Sequence, residues 1–195
     1  QPPLVFAVAR LLGAPLEPWP VVREWMLLHA DALVAACAER SVQTNEPLRC
    51  AALLPALSMI DGPIALLEVG ASAGLCLFLD ALVAGVNICE LDPEESDASA
   101  PVVLECELRG PAPRVRMPEI VWRAGIDLHP LDAGNRDDRA WLTGLVWPGE
   151  GGRAERVERA LDIVAEASAD GVPLVRAGDA ADVLAALAAE APAGA

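Results

Sequence analysis

The chain has 195 residues, of which 54% are hydrophobic, and it carries a net charge of -15 with a pI near 4.4. That length suffices for one sizeable core, or for a helical segment joined to one α/β domain. The charge argues against nucleic acid or an anionic membrane as the main partner, since both would repel it.

Much of the apolar fraction is alanine, and no uncharged apolar run reaches the roughly 18 residues of a membrane span. Lysine and tyrosine are absent, which removes Schiff-base chemistry and the lysine-bearing phosphate loop. The five cysteines, Cys37, Cys50, Cys76, Cys89 and Cys106, form no C-x-x-C pair. They read as buried free thiols in a reducing, cytoplasmic setting. With only His29 and His129 beside them, no metal is expected. The chain opens at Gln1 without a basic and apolar leader, so removal of something upstream is an expectation.

Residues 1–62 read as a helical segment. Residues 19–40 place Val22, Trp25, Met26, His29, Leu33, Val34 and Cys37 at helical spacing and predict one amphipathic helix. A second helix is expected over 48–60, with Thr44 or Asn45 as its cap and Pro47 in its first turn. Asp61-Gly62-Pro63 breaks the pattern before a strand at 64–69.

From residue 63 onward strands and helices alternate, which predicts a parallel sheet. Residues 75–86 are apolar and read as a helix, 92–100 as an acidic loop, and 102–108 as a half-buried strand. Further strands are expected at 120–127 and 173–177, and helices at 137–147, 153–169 and 180–190. The fold class is therefore α/β, with a parallel-sheet domain over 63–195.

Three of these strands end in polar signatures: Glu68-Val69-Gly70-Ala71-Ser72-Ala73-Gly74, Gly125-Ile126-Asp127-Leu128-His129-Pro130, and Gly178-Asp179. Ligands of open parallel sheets bind beyond such carboxyl ends. Each glycine and acid also fits plain turn chemistry, with Asp179 as a helix cap and His129 as a loop residue. Gly70-Ala71-Ser72-Ala73-Gly74 also fits the hydrolase nucleophile elbow, with Ser72 as nucleophile. That reading requires a histidine after the acid, and none follows Asp179. Gln43, Asn45, Glu46 and Arg49 form either a helix cap or a polar lid over the cleft, with Arg49 on Glu46 or on a substrate carboxylate.

Together the three signatures resemble the nucleoside-binding half of class I S-adenosylmethionine-dependent methyltransferases. The resemblance implies that Gly70, Ser72 and Gly74 form the turn that approaches the cofactor, and that Glu68 faces its methionine amino end. It likewise implies Asp127 on the ribose hydroxyls and Asp179 on the adenine amino group. Ser72 replaces the usual middle glycine, and the gap between the first two motifs is about twice the usual length, so the resemblance implies a Rossmann-like domain over 63–195 with an insertion at about 81–119.

Residues 40–55, 68–75, 125–132, Trp141-Leu142, Val146-Trp147-Pro148 and Arg176 with Gly178-Asp179 also resemble the signature of an uncharacterised bacterial family. That resemblance runs from about Trp19 to the end of the sequence and implies a further strand and a His-Ser loop beyond Ala195. No established activity comes with it. The expectation is thus an S-adenosylmethionine-binding methyltransferase acting on a small-molecule or protein acceptor. The alternative is a catalytically silent nucleotide- or partner-binding module, with room left for a homo-oligomer.

Overall fold

The computed structural model describes residues 1–43, 46–86, 103–106, 115–168 and 174–195. Helices come first: α1 (Pro2–Leu11), α2 (Trp19–Leu28), α3 (Ala30–Ala38) and α4 (Arg49–Leu57). Strand β1 (Ile64–Val69) follows, then a 3-10 turn at Leu75–Phe78, and then β2 (Val83–Val86) and β3 (Val103–Cys106). The chain continues through β4 (Ile120–Asp127), α5 (Arg136–Gly144), α6 (Arg153–Ala167), β5 (Val175–Ala177) and α7 (Ala180–Ala188).

The protein is α/β. Its main sheet has three parallel strands in the order β1-β4-β5, with Glu68 opposite Gly125 and Asp127 opposite Ala177. A separate parallel pair joins β2 to β3, and α4 packs against both of its strands. This pair lies in the span expected as an insertion.

Three local expectations change. The helix expected over 19–40 is broken at His29, whose backbone (φ -111, ψ 21) leaves the helical region. The His29 ring stacks on Trp25 at 4.0 Å, and its Nδ1 donates to the Trp25 carbonyl at 2.8 Å, closing α2 at its C-terminus. The helix expected over 75–86 contracts to one 3-10 turn, opened by Gly74 in the left-handed region (φ 76). Residues 83–86 instead form β2, paired in parallel with β3. Pro47 sits in the turn before α4 and not in its first turn. The expected caps Thr44 and Asn45, the acidic loop at 92–100 and the ends of the expected 102–108 strand lie outside the described residues.

The main core lies between α4, the 3-10 turn, α5 and α6. Cys50, Ala51 and Leu54 of α4 join Leu75, Leu77, Leu142, Val157 and Leu161 in one buried cluster. Helical segment and sheet domain therefore share an interior. On another side, Leu187 of α7 covers Ala124 and Ile126 of β4. A smaller cluster of Ala7, Val8, Ala9 and Leu33 seats α1 and α3 on Trp141 of α5. Cys37, Cys50 and Cys76 are free thiols, the last two buried. Among the described residues no helix is long and apolar enough to cross a membrane, and no three His, Cys, Asp or Glu side chains are grouped to hold a metal ion.

Candidate functional site

At the carboxyl end of β1 the chain takes a left-handed backbone at alternate residues: Gly70 (φ 74), Ser72 (φ 54) and Gly74 (φ 76). Two glycines adopt it without a side-chain clash, whereas Ser72 is the one non-glycine with positive φ among the described residues. The serine thus takes a conformation that glycine adopts more readily. The Gly70 and Ala71 amides both donate to the Ile126 carbonyl, at 2.7 and 3.1 Å, folding the turn over the end of β4.

Close packing demands glycine at two neighbouring positions. A Cβ on Gly125 would lie 2.6 Å from the Ala71 Cβ, and one on Gly74 would lie 3.0 Å from Leu174 Cδ2. At Gly70 a Cβ would meet nothing within 4 Å, so the backbone there borders open space.

Asp127 is the clamp of this region. Its Oδ2 accepts from the Ser72 amide at 2.8 Å and its Oδ1 from the His129 amide at 2.8 Å. Its own carbonyl accepts from the Gly178 amide at 2.9 Å. The turns after β1, β4 and β5 are therefore bound to a single residue. Asp179 caps α7, its Oδ1 accepting from the Ala181 amide at 2.9 Å. A cleft of about 320 Å³ opens among these ends, lined by Val69, Gly70, Asp127, Leu128, Gly178 and Asp179.

Glu68 stands one residue before the end of β1 and is half-buried. Burial pushes its carboxyl up from 4.5 to about 7; the nearby Arg49 charge opposes this, and the Asp127 charge adds to it. Its Oε2 is buried with no hydrogen-bond partner among the described residues.

The segment expected as a lid divides in two. Gln43 reaches the site: its Nε2 donates to the His129 carbonyl at 2.6 Å, and its Oε1 accepts from the Ser72 hydroxyl. Glu46 faces elsewhere, paired with Arg153 at 2.5 Å and lying 4.0 Å from Arg156, both on α6. Asn45 lies outside the described residues.

Of the residues singled out in the sequence, Gly70, Asp127 and Asp179 line one cleft, while Glu68, Ser72 and Gly74 support the turn beside it. Ser72 is only 2% exposed, and its hydroxyl donates to an amide oxygen, which is no proton acceptor for nucleophilic attack. Two features escaped sequence reasoning. The His129 main chain is held on both sides, by Asp127 and by Gln43. An apolar cavity of about 470 Å³ with Phe6, Trp19 and Trp147 in its wall also lies beneath α1.

Fold and cleft together define an α/β protein with a ligand-sized opening at the carboxyl ends of a parallel sheet. The model of a bacterial family described as "Uncharacterized protein conserved in bacteria (DUF2332)" matches residues 5–195, and the chain belongs to that family. No curated protein and no solved structure gives a match.

Proposed function

We propose that this chain binds S-adenosylmethionine in the cleft beyond β1, β4 and β5, in a Rossmann-type half-sheet, and transfers its methyl group to an acceptor. The observation that carries the reading is the convergence of the glycine turn, Asp127 and Asp179 on one cleft at three parallel strand ends.

The residues present fit such a cofactor. The unpartnered Glu68 Oε2 is an acceptor suited to an ammonium donor. Gly70 leaves room for a ligand to approach the main chain. Asp127 and Asp179 each keep carboxylate lone pairs beyond those used by backbone amides, enough for ribose hydroxyls and an adenine amino group. When bound, the cofactor supplies an electrophilic methyl group on a sulfonium. The chain's own part is to align the acceptor with it, and alignment alone can lower such a barrier substantially.

A second reading, a catalytically silent nucleotide-binding module, is favoured by one observation. Asp127 and Asp179 already have loop-clamping and helix-capping work, which explains both acids without catalysis.

The deciding experiment is calorimetric titration of the full chain with S-adenosylmethionine and S-adenosylhomocysteine, repeated on Asp179→Ser. Serine retains the cap but withdraws the carboxylate from the cleft. The expected outcome is micromolar binding by the wild type, weakened by about 1–3 kcal/mol in the variant, with an unchanged melting temperature. No binding by the folded wild type would overturn the cofactor assignment. Binding of both ligands without methyl transfer to any acceptor in a broad screen would favour the silent module.

A further inference from the structure

Several arginines of this acidic chain are neutralised. Arg116, Arg123, Arg139, Arg153 and Arg176 each meet a carboxylate at 2.5 to 2.8 Å. Arg40 is different. Its guanidinium carbon lies 5.0 Å from the centroid of the Trp141 ring, its side chain is exposed, and among the described residues no carboxylate pairs with it. Stacking on an indole fixes a guanidinium while leaving its in-plane N–H edge open, and that edge matches a carboxylate.

Arg40 lies on a second cleft of about 580 Å³, between the segment after α3 and the start of α5. Ser41, Gln43 and His129 line it with Arg40, and Trp141 supplies an apolar wall. Each of these polar groups can donate a hydrogen bond. The His129 main chain is held at both its amide and its carbonyl, so its ring is offered from a fixed backbone. His29, the other imidazole of the chain, is instead stacked on Trp25. Two acids, Glu39 and Asp138, also lie on this cleft, and they disfavour a doubly charged anion such as phosphate.

We infer that this cleft is a ligand site for small carboxylic acids, with the carboxylate on Arg40 and the body of the ligand against Trp141. Gln43 of this cleft bonds the Ser72 hydroxyl and the His129 carbonyl, and so ties its wall to the turns after β1 and β4. That the bound acid is the methyl acceptor rests on the reading above; that the cleft binds carboxylic acids does not.

The test is ligand-observed and imidazole-detected NMR on the full chain with benzoate and indole-3-acetate, using benzamide and inorganic phosphate as controls. The same titrations follow on Arg40→Gln, an exposed position where the fold is expected to hold. The expected result is that at least one acid binds and shifts the His129 ring signals, that Arg40→Gln weakens it at least tenfold, and that benzamide and phosphate bind more weakly. If neither acid binds, if Arg40→Gln binds equally well, or if phosphate binds as tightly, the inference is overturned. Because no cofactor is added, acid binding by a chain that ignores S-adenosylhomocysteine would sink only the methyltransferase reading. Cofactor binding without acid binding would sink only this one.

Discussion

Two concavities outside the Arg40 cleft make a contrast. The cavity beneath α1 is the larger, at about 470 Å³ against about 320 Å³ at the strand ends, yet it is built at little cost. Phe6 meets Trp147 and Trp19 at ring distances of 5.7 and 6.4 Å. Arg10 is satisfied by the carbonyls of Gly144 and Val146, at 3.1 and 2.5 Å. The strand ends instead hold a serine in a left-handed backbone, a buried carboxyl oxygen without a partner among the described residues, and a glycine with no room for a Cβ beside Ala71. Folding alone does not reward such costs, and they cluster where a protein binds or reacts. The smaller cavity is thus the functional candidate, and size is the poorer guide.

Substitutions can break this contrast. The largest effect is expected from Gly125→Ala, whose new methyl would meet the Ala71 Cβ at 2.6 Å and Val175 Cγ2 at 3.0 Å. Overpacking of this kind should cost roughly 1–3 kcal/mol or more, read by urea unfolding. A variant as stable as the wild type would show that the turn is loose.

Next comes pH. Glu68 is raised from 4.5 to about 7 by burial, so between those values the folded chain holds a proton that the unfolded chain has lost. Its contribution is fully present below about 4.5 and is lost as pH rises through about 7. The loss is on the order of 2–3 kcal/mol. Glu68→Gln should flatten this part of the stability profile between pH 5 and 8 and exceed the wild type in stability at pH 8. Parallel profiles for the two proteins would mean that the carboxylate is well solvated.

Ser72 sharpens the contrast further. Ser72→Ala removes the hydroxyl's bond to Gln43 but keeps a side chain at φ 54, whereas Ser72→Gly removes the bond and the strain together. Glycine should therefore be the more stable of the two variants by about 1 kcal/mol, measured by thermal unfolding. The reverse order would place the backbone strain elsewhere.

The smallest effect is expected at the aromatic cavity. Trp147 is 44% exposed, and Trp147→Ala should lower stability by about 1 kcal/mol while leaving ligand binding at the strand ends unchanged.

The strand-turn units were legible because their signals are local. Gly70, Gly125 and Gly178 beside Glu68, Asp127 and Asp179 each mark a place where extended chain stops, and β1, β4 and β5 end there. The parallel sheet followed from the alternation of strands and helices. Most of what failed depended on partners distant in sequence. Residues 83–86 form a strand because β3 pairs with them, a contact that no local pattern reveals. The break at His29 rests on its ring settling on Trp25. Glu46 went to Arg153 and Arg156, more than a hundred residues away, so its role could not be read from its neighbours. Gln43 was expected in either a helix cap or a polar lid, and its two partners, Ser72 and His129, come from different turns. Arg40 and Trp141 escaped notice because their pairing exists only once α3 and α5 are packed together.

The amide of Gln43 has a consequence of its own. A carboxamide is polar end for end, with donors on one atom and acceptors on the other. With Oε1 receiving the Ser72 hydroxyl and Nε2 serving the His129 carbonyl, reversing the group would set acceptor against acceptor at His129, although the Ser72 hydroxyl could turn to accept. It is a peg keyed by the His129 carbonyl, and it joins the wall of the Arg40 cleft to the turns after β1 and β4. A guest that draws the His129 loop toward itself must pull on Ser72 as well. By thermodynamic reciprocity, any help or hindrance one guest gives the other is returned in equal measure.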